Sequence, residues 1–582
     1  MTRTNTSHFL AGSVKDKLMN IKHAIIPIVV AAVALFAITT RHVFFRIDMT
    51  EDGRYSLSEP AYRQLKALSK PLTLRIYLNG DLDANMLRLK HSVLDMVEEM
   101  NEISSKPIEI VEIDPNDVSS DDERYVLFRQ LEDRGIRGMN VSHRKRGGSI
   151  SESIIFPWAE LCSENDTMLI PLMQADVELS GEQAVNSSVE DVEFRLIDAV
   201  RILNRTDVKK VAFIEGHGEL PERFTYDITV ALSRYFQIDR GVIGNDASVL
   251  DSYAAIVIAK PTEPFSERDK FIIDQYIMNG GSVLWLVDGV CMSDSMLSSS
   301  GMTPLVVRDV NLTDQLFRYG VRITPTIVED MQCAYMPVNL AAQGEKPRFE
   351  PIPWSFTPLL RLSPFHPVTK SLSDVKVDYA SGIEIVGDTI GVTKEVLMVS
   401  SNASHVSSAP GEIDIMQAVK VEPSEYFTSS YVPVGVVMEG CFNSVFAHRS
   451  MPDSIVNAHP FRERSVATRM IVVGDGDVLR NEIQQTRNGL VYPLPVGLDR
   501  VSGYLHGNRD FAVNSLLFLT DDEGVMQLRS RHVGLRMLNR ASAEQNFTHH
   551  AVVNVLLPLL LLALTGAIYN ILKRLHYAGK IF

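Results

Sequence analysis

Val211-Ala-Phe-Ile-Glu215, Ala254-Ala-Ile-Val-Ile-Ala259 and Val283-Leu-Trp-Leu-Val287 are three apolar runs of strand length within Lys209–Asp288, and the segments between them read as helices. Gly216-His-Gly218 closes the first run, and Thr225–Phe236 follows with amphipathic spacing. The second run stops at Lys260-Pro261. Ser266-Glu-Arg-Asp269 then supplies a helix N-cap with an acid three residues on, Phe271, Ile272 and Tyr276 recur at helical spacing, and Gly280-Gly281 ends the helix. Buried strands alternating with capped helices predict a doubly wound α/β domain, its parallel sheet covered on both faces. Ligands of such sheets sit in the loops after the strands. Those loops here hold Glu215, His217, Glu219 and Asp288.

Upstream, a polar connection from Arg46 to Ser58 leads into a helix over Glu59–Ser69, a strand over Leu72–Leu78, a helix over Leu87–Ile103 and a strand over Ile108–Ile113. This β-α-β unit predicts a first α/β domain reaching about Arg205, with a helix over Ser188–Asn204. Downstream, Ser293–Pro304 reads as a surface loop, Leu312–Tyr319 as a helix stopped by Gly320, and Val321–Val328 as a strand. Gln343–Pro367 holds prolines at 347, 351, 353, 358, 364 and 367, which argues against regular structure. Glu395–Ser400, Val432–Met438 and Met470–Gly474 predict further sheet strands, the last running into Asp475-Gly-Asp477, and Phe511–Leu519 a final helix.

Ala24–Thr40 and Ala551–Leu572 carry no charge and reach the length that a span of the bilayer needs. No small-x-small cleavage site precedes Arg41, so the first is expected to stay as an anchor. Arg3, Lys15, Lys17 and Lys22 precede it, and Lys573, Arg574 and Lys580 follow the second, which predicts two cytoplasmic tails, residues 1–23 and 573–582. The 510 residues from Arg41 to His550 then lie together on the opposite side of the membrane. Setting aside seven basic and one acidic tail residue leaves 50 basic against 71 acidic, a formal charge of -21. So acidic a body disfavours nucleic acid, whose binding needs basic neutralisation of phosphate. Cys162, Cys291, Cys333 and Cys441 are too few and scattered for a disulfide scaffold, and no C-x-x-C occurs.

Neither G-x-x-x-x-G-K-[ST] nor a strand-following G-x-G-x-x-G is present, so an ATP site would have to come from another subunit. Cys291, in Asp288-Gly-Val-Cys-Met292, follows a central strand much as the nucleophile of class I glutamine amidotransferases does. A nucleophile elbow needs small residues on both sides of the nucleophile, and the position two beyond Cys291 is Ser293; the downstream histidines, His366 and His459, lack an acid two places on. Glu215, His217 and Glu219 could be drawn as a metal site, but a glycine-rich turn after a strand explains them as well. Asp475 and Asp477 likewise suit a strand-terminal turn. No catalytic residue, cofactor or metal ligand is expected; all six are kept as candidate ligand-loop residues. Asn554, Thr565, Gly566 and Asn570 in the last apolar segment are candidate helix contacts within a membrane.

Arg54-Tyr-Ser-Leu-Ser58, Leu78-Asn-Gly-Asp81, Ile113-Asp-Pro115, Glu215-Gly-His-Gly-Glu219, Leu312–Arg322, Val437-Met-Glu-Gly440, Asp475-Gly-Asp477 and Asn508-Arg-Asp-Phe511 together resemble the gliding-motility-associated ABC transporter auxiliary proteins of Bacteroidota, the GldG family. The resemblance covers nearly all of the chain after Ile47. It implies a two-span protein with tandem α/β domains outside, residues 41–205 and 206–545. The second of these would be a degenerate class I amidotransferase-like, flavodoxin-like doubly wound sheet, with spans over 24–40 and 551–572. It further implies a non-enzymatic, substrate-binding-like subunit partnered by an ABC ATPase and a polytopic permease, linked to gliding and type IX secretion. The alternatives are an envelope hydrolase using Cys291 or a metal at His217, and a purely structural scaffold.

Overall fold

The computed structural model describes residues 57–144, 150–164, 166–173, 181–339, 341, 346, 348–387, 391–414, 422–457, 459–486, 489, 491–530 and 547–578. From Ser58 on, the described residues form one compact unit. The expected first span, 24–40, lies outside the described residues.

Helix α1 (Glu59–Lys66) begins at Ser58, whose side chain accepts from the Ala61 amide, with Pro60 in the first turn where its missing N–H is harmless. Strand β1 (Leu72–Ile76), helix α2 (Ala84–Ile103) and strand β2 (Ile108–Glu112) form the expected β-α-β unit, and β1 and β2 pair in parallel. After helix α3 (Asp121–Asp133), strands β3 (Trp158–Cys162) and β4 (Thr167–Pro171) add antiparallel, giving a sheet in the order β2-β1-β3-β4. Helix α4 (Gly181–Asn204) packs on this sheet and on α1 and α2.

Strands β5 (Lys210–Glu215), β6 (Gln237–Val242), β7 (Ala255–Ala259) and β8 (Ser282–Leu286) follow, with helices α5 (Glu222–Leu232) and α6 (Glu267–Met278) between them. Strands β9 (Cys333–Asn339), β10 (Phe349–Leu362), β11 (Val392–Val399), β12 (Pro433–Gly440) and β13 (Thr468–Val473) complete a large sheet in the order β9-β10-β11-β12-β13-β8-β7-β5-β6. A short pairing of Val375–Lys376 on β10 lies off this path. The half β6-β5-β7-β8-β13 is parallel throughout. Counted along the chain its order is 2-1-3-4-5, the flavodoxin-like doubly wound order. The half from β13 to β9 is antiparallel.

Side chains from both faces of the parallel half are buried, as a strand without polar alternation demands. Ile256, Ile258, Val283, Trp285, Met470 and Val472 share one core with Ile272, Ile273 and Tyr276 of α6 and with Leu316 and Tyr319 of helix α7 (Thr313–Tyr319). On the other face, helix α8 (Asn508–Leu519) lies on β8 and β13 and against α5, burying Phe511, Leu516 and Phe518. The short helix α9 (Gln527–Ser530) and the long apolar helix α10 (Phe547–Ala578) close the chain.

Three expectations are corrected. Within Gln343–Pro367, where regular structure is not expected, Phe349–Leu362 is the 14-residue strand β10, running through Pro351, Pro353 and Pro358. Pro351 and Pro353 share one parity of the pleat, and Pro351 faces Pro337 of β9, so neither nitrogen is directed at the partner strand along this stretch. Ser293–Pro304 holds a helix, Asp294–Ser300, capped by Ser293 and ended by Gly301 at φ 75°, and then a strand, Met302–Val307. Val321–Val328 is split into Val321–Ile323 and the start of Thr326–Asp330, which pair with different strands.

Candidate functional site

The strand order reverses between β5 and β7, and the loops leaving their carboxyl ends are laced together there. The Thr262 and Glu263 amides donate to the His217 carbonyl at 2.8 and 2.9 Å, and Leu220 N donates to Ala259 O at 3.0 Å. Gly218, at φ 71°, is required: a Cβ would stand 2.0 Å from Thr262 Oγ1.

This turn buries the His217 ring, stacked on Phe265 with centroids 3.7 Å apart. Nδ1 meets Glu219 Oε1 at 3.0 Å and Nε2 meets Asp269 Oδ2 at 3.2 Å, while the His217 amide donates to Glu219 Oε2 at 2.7 Å. Burial alone would lower the imidazole pKa, but the bonds to Asp269 and Glu219 outweigh it and raise it to about 9. Burial pushes Asp269 up, yet bonds from His217, Ser266 and Arg268 hold it at about 2. The pair is therefore imidazolium and carboxylate at neutral pH. The described residues contain no group of three His, Cys, Asp or Glu side chains placed to hold a metal ion. Glu215 turns away to Arg240, whose Nε donates to it at 2.8 Å.

The carboxyl ends of β7, β8 and β13 carry a second cluster. Lys260 adopts φ 56° and its ammonium contacts Asp477 directly, with Asp288 Oδ2 at 3.8 Å. Asp288 Oδ1 accepts from Gly476 N at 2.6 Å, and Asp475 accepts from the amides of Asp477 at 2.8 Å and Asp378 at 3.1 Å. Burial, reinforced by Asp477, lifts Asp288 to about 6 against the pull of Lys260, and it lifts the fully buried Asp475 well above the carboxylate range.

Beside Asp378 opens a cleft of about 650 Å³ between the β9–β10 hairpin and the loops after β13. Tyr335, Phe349, Trp354 and Tyr379 form its apolar wall, and Lys376, Glu482, Asp499 and Arg500 supply charge. With aromatic side chains on one wall and charged groups on the other, the cleft is a candidate ligand site.

The six sequence-predicted loop residues thus separate into three places: His217 with Glu219, Asp288 with Asp475 and Asp477, and Glu215 alone. Lys260, Asp269 and Asp378 complete the clusters and were not singled out. Asp269 is legible only as the acid three residues after the N-cap Ser266, where its amide donates to Ser266 Oγ at 3.1 Å and its Oδ2 accepts from the Ser266 hydroxyl at 2.7 Å. Lys260 carries no local signal, since its partners are contributed by distant strands.

Cys291 lies in a short strand paired with Met302–Val307, and no histidine hydrogen bonds to it among the described residues. His366 accepts from Val368 N at 3.2 Å, with its pKa pushed down to about 4 by burial, and His459 pairs with Asp251 at 2.7 Å. All four cysteines are free thiols. In α10, Val552–Asn570 is long and apolar enough to cross a membrane. Asn554, Thr565, Gly566 and Asn570 are all exposed on it, and Thr565 Oγ1 bonds back to Leu561 O and Leu562 O at 2.9 Å.

Residues 208–515, just over half the chain and spanning β5 to α8, match the family model of an ABC-type uncharacterized transport system. Residues 51–161 match a domain of unknown function, DUF7088. No curated protein matches the chain. Among solved structures, the mmIFT52 N-terminal domain aligns over 54% of this chain and 99% of its own length, at 11% identity and a TM-score of 0.31.

Proposed function

The chain belongs to the ABC-type uncharacterized transport system family, and from that premise we propose that it is a non-enzymatic, membrane-anchored accessory subunit whose α/β body binds a ligand or an envelope protein. Membership associates it with ABC transporter components, and α10 supplies a candidate membrane helix. The observation that carries the binding reading is the state of the strand-end loops. Their charged groups are spent on one another, His217 between two carboxylates and Lys260 among three, while the adjoining cleft stays open. A ligand there would be gripped by Tyr335, Tyr379, Lys376 and Arg500 rather than transformed.

The finer reading has the body in the periplasm, both termini cytoplasmic, an ABC ATPase and a polytopic permease as partners, and a role in gliding and type IX secretion. It is supported by the tail charges, the lack of a nucleotide motif and the resemblance to the GldG family. The test is gentle detergent extraction of the chain tagged at Phe582 and mass spectrometry of what co-purifies. Stoichiometric ATPase and permease are expected. The chain alone, from extracts in which such a permease is detectable, would overturn the proposal. Cys291→Ala and His217→Ala are expected to leave function intact wherever assembly is normal; loss of function with either would favour the hydrolase.

A further inference from the structure

Asp274 of α6 is fully buried and holds two separate segments against that helix. It accepts from the Tyr319 hydroxyl at the end of α7 at 2.9 Å, and from Ser444 Oγ at 2.6 Å and Val445 N at 3.1 Å in the loop after β12. Gln315, Leu316 and Tyr319 of α7 are buried, so Asp314, Phe317 and Arg318, spaced i, i+3 and i+4, share its outer face. The Val386 amide donates to Gly320 O at 3.0 Å and brings a third segment alongside.

Between these segments opens a second pocket, of about 890 Å³, which shares no lining residue with the cleft. Arg318, His448, Arg449 and Arg464 line it, together with the ring of Phe317, which is 57% exposed. Its one acid among the described lining residues is Asp314, already shared between Lys270 Nζ at 2.8 Å and Arg449 at 2.6 Å. The nearby acids also have bases beside them. Glu267 meets the same buried Lys270 at 3.0 Å, Glu384 meets Arg322 at 3.6 Å, and Glu463 stands between Arg462 and Arg464 in the chain. Lys394 adds its ammonium at the pocket's edge, donating to Val386 O at 2.6 Å and Gly387 O at 2.8 Å.

Arg318 Nε donates to the Ser444 carbonyl at 3.4 Å and forms no ion pair with a carboxylate among the described residues. Three guanidiniums on three segments, α7, the loop after β12 and the stretch before β13, outnumber what one carboxylate would neutralise. A phosphate monoester carries close to two charges at neutral pH and three terminal oxygens, one for each arginine, and guanidinium N–H groups match those oxygens in geometry. Phe317, Val386 and Val445 leave apolar wall beside the charges for a carbon skeleton.

We propose that this pocket binds the phosphate monoester end of a small organic ligand through Arg318, Arg449 and Arg464, with Phe317 against the ligand's carbon skeleton. It is a second site, apart from the cleft, and it does not depend on what the cleft binds.

The test is isothermal titration of the full chain, in a neutral detergent, with phenyl phosphate. Saturable binding that weakens as salt rises is expected, with benzoate, the same ring bearing one charge, at least about tenfold weaker. Arg318→Gln/Arg464→Gln should weaken phenyl phosphate by about tenfold or more, because each change removes a charge-assisted hydrogen bond. Tyr335→Ala, in the cleft, should leave it unchanged. Both arginines are exposed, so the fold should be unaffected, and an unaltered melting temperature checks it. Phe317→Ala, a second variant that keeps every charge, should weaken phenyl phosphate and leave inorganic phosphate as it was. Repeating the titration with phosphatidic acid in the micelles separates the sources: competition would assign the phosphate to a lipid, its absence to a soluble ester, and either supports the pocket. No saturable binding, benzoate binding as tightly as phenyl phosphate, or a folded arginine variant that binds like the parent would overturn the proposal.

Discussion

His217 and Lys260 are both cations held by carboxylates, and the raised pKa values in both clusters favour folding as pH falls, over different pH windows. His217 binds its proton more tightly folded than unfolded, with a pKa near 9 against an ordinary 6.5. Its contribution is complete below about pH 6.5 and lost as pH rises through 9. His217→Gln should therefore flatten the fall in thermal stability between pH 6.5 and 9, removing roughly 2–3 kcal/mol of pH-dependent stability. If mutant and parent lose stability in parallel over that window, the imidazolium is not there. Asp288 and Asp475 are carboxyls with raised pKa values, so they favour folding increasingly as pH falls through about 6. Lys260→Met leaves three acids around an empty place and should cost about 3–5 kcal/mol at pH 7. Part of that should return at pH 5, where Asp288 protonates; urea unfolding at the two pH values measures it. Neither cluster could be assembled from the sequence, because the acid that completes His217 is 52 residues away and the one that meets Lys260 is 217 away.

Local order set the limit on what the sequence disclosed about the elements. Three of the four strands of Lys209–Asp288 are legible because each is a closed apolar run, and α6 carries its own punctuation, Ser266 before it and Gly280 after it, whereas β6, polar and half-exposed at the sheet edge, gives no such signal. The antiparallel half was legible only as isolated strands. Its pairing depends on β13 being shared between the two halves, and β10 hides behind its prolines. That strand yields a sharp contrast. Pro353→Ala restores an N–H that β9 does not need and should change stability by less than about 1 kcal/mol. Ile352→Pro, one residue away and opposite Met336, removes a donor directed at β9 and should cost about 3 kcal/mol or more. Equal melting temperatures for the two variants would mean that the parity is wrong. Gly474→Ala should be worse than either residue-scale change, since its Cβ would stand 2.2 Å from the Ser381 carbonyl oxygen, a backbone atom with nowhere to go.

At the scale of the whole molecule, α4 is the piece on which everything converges. It lies on the smaller sheet, and it meets the segment after β10 through Ser187 with Ser371 Oγ at 3.2 Å and Glu190 with Lys370 at 3.5 Å. Replacing Ser187 and Ser371, whose hydroxyl oxygens lie 3.2 Å apart, by cysteines is expected to give a disulfide that locks that contact. If the smaller sheet must shift against the larger one during the transport cycle, the locked chain should still co-purify with its partners but fail in function until reduced. Full function in the oxidised state would show the body works as a rigid piece. A pull arriving through the last helix would reach Arg529, whose guanidinium lies over Phe194 of α4 and donates to Lys370 O at 2.8 Å, while the entering chain is held one residue away, the Ser58 amide donating to Glu193. Such a load would be shared between α4 and the segment after β10, and it would be felt across the contact of Ser187 with Ser371.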